Sequence, residues 1–124
     1  MKPKINLFNH SEKARPYPAG VTIFREGFYG KIMYVVVEGY VDVIAGGRLL
    51  ETVGPGGILG EMSLIDPSEP RSATIITRTD CKLVEIDEPY FNRLIQETPY
   101  FAMQVMQIVV ERLRRMNRQF ASAG

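Results

Sequence analysis

Between residues 21 and 54, apolar positions come in short runs that close on glycine: VTIFREG (21–27), KIMYVVVEG (31–39), YVDVIAGG (40–47) and RLLETVG (48–54). β-Branched and aromatic residues fill these runs, and Val41 and Val43 flank Asp42 as in a strand with one buried face. ATIITRT (73–79) and CKLVEI (81–86) form a further pair of the same kind. Many short strands at this spacing predict a sandwich or jelly roll rather than a parallel sheet.

After residue 86 the apolar period lengthens. Asp87 or Glu88 caps a short helix with Pro89 in its first turn, PYFNRLIQE, and Thr98–Pro99 opens a second helix in the same way. Along that helix Phe101, Val105, Ile108, Val109, Leu113, Met116 and Phe120 recur at helical spacing, a stripe read as core or interface. The helix is predicted to run for about 30 Å. Arg112, Arg114, Arg115 and Arg118 crowd its end, where they read as a solvated group suited to the helix dipole. The expected fold is mainly β with C-terminal helices: an antiparallel, jelly-roll-like β-roll over residues 17–86, then a short and a long α-helix over 87–120. Residues 1–16 form an N-terminal segment, and residues 1–124 make a single domain.

Composition narrows the function. A chain of 124 residues suits one domain with its own core. The formal net charge of +1 lacks the basic excess of a dedicated nucleic-acid binder. Cys81 stands alone, so no intrachain disulfide forms and it reads as a small buried apolar residue. The N-terminus has no apolar signal run and no stretch has the length of a membrane span, which together predict a cytoplasmic protein. His10 is the only histidine, which leaves no His-based triad and no cluster of imidazoles for a metal-dependent jelly-roll enzyme. The reading is of a non-enzyme with no metal and no cofactor.

The segment GPGGILGEMSLIDPSEPRSATI (54–75) fits none of these structural patterns. Its first glycines let the backbone turn sharply, and GEMSL can form one helical turn whose N–H groups point at one spot, as anion sites do. Arg71 adds a guanidinium fork suited to two phosphate oxygens, and small Ser72 and Ala73 let the backbone approach the same anion. Glu61 would repel a phosphate, so it makes sense as the acceptor for a hydroxyl attached to that phosphate. A phosphate beside a ribose hydroxyl describes a nucleotide.

With GILGEMSL, then RSAT ten residues after Glu61, set among PAGVTIFREG, YVVVEGYVDV and two closing helices, the sequence resembles the cyclic nucleotide-binding domain family over roughly residues 17–118. The family includes protein kinase A regulatory subunits, nucleotide-gated channels and the sensor half of the catabolite activator protein. The resemblance implies a phosphate-binding cassette at residues 60–73. Gly60 and Glu61 would hold the ribose, and Arg71 the exocyclic phosphate oxygens. The backbone around Met62, Ser63, Ser72 and Ala73 would complete the cradle, and Val43 and Leu50 would wall the pocket. It implies a sensor module for cAMP or cGMP, with cAMP favoured, that signals through movement of its last helix toward a second copy or an effector protein. Two other readings fit the same residues: an interaction domain that has lost its ligand, or the truncated sensor half of a transcription regulator.

Overall fold

A computed structural model describes residues 3–123. Among these residues, eight strands form two antiparallel sheets: β1 (Arg15–Tyr17), β2 (Thr22–Phe24), β3 (Met33–Glu38), β4 (Val41–Ala45), β5 (Arg48–Val53), β6 (Ile58–Leu59), β7 (Thr74–Thr77) and β8 (Cys81–Ile86). One sheet has the order β1-β8-β3-β6 and the other β2-β7-β4-β5. The expected roll is present. The four glycine-bounded runs account for β2–β5 and the later pair for β7 and β8, and β1 and β6 are additional. The first strand starts at Arg15, inside the stretch read as an N-terminal segment, because Arg15–Tyr17 pairs with Leu83–Cys81.

Periodicity decides what each face of the first sheet meets. In β3, Tyr34 and Val36 turn inward with Val41, Val53, Leu59, Ile75, Cys81 and Leu83 to fill the roll. Met33 and Val35 turn outward with Val84 and Ile86, into a second core closed by the helices. Burial on both faces explains why β3 is apolar nearly throughout and why β8 carries apolar residues toward both cores. The N-terminal segment contributes to this second core: Ile5 and Phe8 are buried, and the Ile5 N–H donates to the Gly56 carbonyl at 2.7 Å. Residues 1 and 2 of that segment lie outside the described residues.

Three helices complete the chain: α1 (Glu61–Ile65) inside the cassette, α2 (Glu88–Glu97) and α3 (Pro99–Ala123). Asp87 caps α2 by accepting the Tyr90 N–H at 2.9 Å. Phe101 anchors α3, fully buried between the edges of Phe8 and Phe91. With 25 residues, α3 is about 37 Å long and outruns the core. The expected stripe therefore splits. Phe101, Val105 and Ile108 are buried, while Val109, Leu113, Met116 and Phe120 are exposed, Phe120 at 85%. No helix among the described residues is long and apolar enough to cross a membrane.

Candidate functional site

Strand β6 delivers the chain to Gly60, which caps α1 with φ of +76°, a left-handed geometry that strains any residue with a Cβ. That turn brings Glu61 inward at once. Arg71 approaches from the other end of the cassette, its N–H bound to the Phe28 carbonyl at 2.8 Å. Between them the DPSEP loop is tied by Asp66, whose carboxylate accepts from the Ser68 backbone and hydroxyl. These bonds hold the Asp66 carboxyl below the usual carboxylate range.

All nine residues singled out in the sequence line one cavity of about 420 Å³, within the range of small-ligand sites. Glu61, Ser63, Arg71 and Ala73 are buried, with Glu61 at 4% and Arg71 at 5% exposure. Gly60 and Val43 are half-buried, and Leu50, Met62 and Ser72 stand at the rim. Phe24, Ile58, Leu59 and Ile75 add apolar wall that the sequence reading had not assigned to the site.

Arg71 is unusual for a buried cation because no carboxylate among the described residues forms an ion pair with it. Its Nη2 donates to the Ile32 carbonyl at 2.9 Å and its Nη1 to the Gly60 carbonyl at 3.3 Å. The guanidinium lies over the Phe24 ring, 4.0 Å from the centroid. Its Nε is the one buried side-chain nitrogen or oxygen among the described residues with no hydrogen-bond partner. Burial pulls the Arg71 pKa below the usual arginine value, and the nearby Tyr34 and Glu61 act against that. A buried, preorganised donor of this kind is suited to an anion.

Glu61 is held from an unexpected side. Its Oε1 accepts from Nη1 of Arg112, on α3, while Oε2 takes the Met62 N–H at 3.2 Å. Arg112 also donates from Nη2 to the Ile58 carbonyl at 2.6 Å and pairs through Nε with Glu51 at 3.0 Å. Arg115 joins Glu51 at 2.6 Å. Glu51 on β5, Glu61 on α1 and two arginines on α3 thus form one network along the cavity. This corrects the expectation of a solvated helix end for two of the four arginines: Arg112 and Arg115 line the cavity together with Met116 and Gln119, while Arg114 and Arg118 are exposed.

A signal for this was present in the sequence. Phe101, Val105, Ile108, Arg112, Arg115 and Gln119 follow one another at alternating steps of four and three, which is a single helix face. That face turns from apolar to arginine where α3 leaves the core and passes over the cavity.

Comparison with known proteins places this geometry. The sequence pattern of the family described as "Cyclic nucleotide-binding domain" matches residues 14–98. The chain is 33% identical over 110 residues to the CRP-like cAMP-activated global transcriptional regulator of Mycobacterium tuberculosis, which covers 85% of this chain and 49% of that protein. The crystal structure of the Thermus thermophilus catabolite activator protein superposes with a TM-score of 0.78 at 32% identity, over 89% of this chain and 54% of that one. A structure described under a cyclic-GMP-dependent signalling pathway that regulates bacterial phytopathogenesis has a TM-score of 0.64 at 30% identity, over 88% and 84% of the two chains. The chain spans about half the length of the mycobacterial regulator.

Proposed function

Because the chain belongs to the cyclic nucleotide-binding domain family, we propose that its cavity holds a 3′,5′-cyclic purine nucleotide, cAMP in preference to cGMP, and that the protein is a non-enzymatic cytoplasmic sensor. The observation that carries this reading is the pairing of Arg71 and Glu61 in one cavity. Arg71 is buried, and its guanidinium keeps N–H donors beyond the two bonds to carbonyls, a charge and geometry suited to a phosphate oxygen. Glu61 keeps acceptor capacity on Oε2 for a ribose hydroxyl while Oε1 stays with Arg112. In this reading Gly60 lets the ribose approach, Met62, Ser63, Ser72 and Ala73 line the phosphate cradle, and Val43 and Leu50 wall the base. The cAMP preference draws on the cAMP-activated mycobacterial relative.

The signal leaves through α3. Arg112 ties that helix to the ribose acceptor itself, so a ligand that redistributes the hydrogen bonds of Glu61 changes how the helix is held. Such coupling requires tighter ligand binding in one helix position than in the other. The outer face of α3 fits a second copy. Exposed Met103, Met106, Val110, Leu113 and Phe120 keep the three–four spacing of a coiled-coil seam, and Asn117 sits at the remaining seam position, where a polar residue fixes register.

Hydrogen exchange with and without cAMP, at low and high protein concentration, tests both parts. Nucleotide should raise protection over residues 60–74 and change it along residues 100–118, and concentration alone should raise protection over residues 103–120. A cassette that becomes protected while α3 exchanges identically in both states makes the helix a fixed strut. Exchange along α3 that ignores concentration removes the second copy.

A further inference from the structure

The phosphate grip works only if the Arg71 guanidinium reaches its seat, and the structure shows what leaves that seat open. Gly30, in the loop between β2 and β3, lies directly against it. A Cβ built on Gly30 would stand 2.5 Å from Nη2, 2.7 Å from Nε and 2.9 Å from Cζ of Arg71. No real Cβ tolerates those distances, so a side chain there forces the guanidinium to move. Phe24 covers the guanidinium, and the Ile32 and Gly60 carbonyls fix its two terminal nitrogens. Any displacement therefore breaks the bonds that orient the fork.

Unlike Gly60, Gly30 does not have a positive φ, so its backbone accepts an ordinary residue. The constraint at this position is the space required by Arg71, which the chain can yield without unfolding because the obstructing atoms end a flexible side chain. We infer that Gly30 is a positioning residue of the anion grip: it is glycine so that the Arg71 guanidinium can occupy the seat that Phe24 and the Ile32 and Gly60 carbonyls define. This rests on the cavity being a cyclic nucleotide site, but the seating of Arg71 is a property of the free protein.

Gly30→Ala separates the two claims. In the free protein, the Arg71 Nε–H signal in a nitrogen–proton NMR spectrum should be slow to exchange in the wild type and shifted and fast-exchanging in Gly30→Ala, with an unchanged backbone pattern elsewhere. In titrations, Gly30→Ala should bind cAMP about tenfold more weakly, through loss of well-oriented charge-assisted bonds. Added to Arg71→Ala, it should change affinity less than about twofold, since no guanidinium remains to displace. An unmoved Nε–H signal overturns the inference, as does an equal loss in the two backgrounds. A wild type that binds neither cAMP nor cGMP contradicts the reading of the cavity, and the Nε–H signal still decides the role of Gly30.

Discussion

Arg71→Ala should weaken cAMP binding by about 2–4 kcal/mol, or about 30- to 1,000-fold. The loss is large because the guanidinium is already desolvated and oriented before any ligand arrives. Two bonds to the Ile32 and Gly60 carbonyls and the Phe24 ring hold it in place. A phosphate binding there gains charge-assisted bonds without further ordering cost to the protein. The fold should survive, because the substitution removes a buried cation that no carboxylate neutralises along with two modest bonds to carbonyls. Arg71→Lys keeps a charge but loses the fork, so it should recover only part of the affinity. Isothermal titration of the three proteins, alongside their unfolding midpoints, reads both quantities. Full affinity in a folded Arg71→Ala protein would place the phosphate elsewhere.

Glu61→Ala has the second large effect, and its sign depends on the ligand. For cAMP the variant loses a hydroxyl-to-carboxylate bond, which costs about 1.5–3 kcal/mol when a charged acceptor is removed. For 2′-deoxy-cAMP that bond never forms. Removing a carboxylate near the phosphate instead lowers repulsion, so the deoxy ligand should bind the variant as well as the wild type, or better. The substitution also releases Arg112 from one of its two acidic partners and leaves it on Glu51. Loosening of α3 would affect both ligands alike, so the difference between them isolates the ribose contact. Equal losses would show that Glu61 supports the helix and does not touch the sugar.

The segment that lines the cavity was legible in the sequence because its residues are local: Gly60, Glu61, Arg71, Ser72 and Ala73 sit within one short stretch whose glycines and prolines mark it off from strand and helix. The glycine-bounded strands were legible through their runs of β-branched and aromatic residues and the glycines that close them. β6 was not, since Ile58–Leu59 is too short to show a period, and β1 gains its strand character only by pairing with β8. Ile5 and Phe8 were hidden in a polar segment, where a few apolar residues carry no pattern. The acidic–basic network was hidden for another reason. Glu61 and Arg112 are 51 residues apart, and Glu51 and Arg115 are 64 apart. Only the passage of α3 over the cavity turns a run of arginines into partners of the site. Gly30 and Phe24 carry no charge or donor of their own that a motif could register. What they do is make room for Arg71 and cover it.

Calorimetric titration of the wild-type protein with cAMP, cGMP and 5′-AMP tests the central claim most directly. The cavity should take one cyclic nucleotide per chain, with cAMP bound more tightly than cGMP. 5′-AMP carries an extra phosphate charge and cannot present the cyclic phosphate and the ribose hydroxyl in the same fixed relation, so it should bind at least about tenfold more weakly than cAMP. A folded protein that takes up neither cyclic nucleotide at millimolar concentration, or that binds 5′-AMP as tightly as cAMP, would contradict the assignment of this cavity.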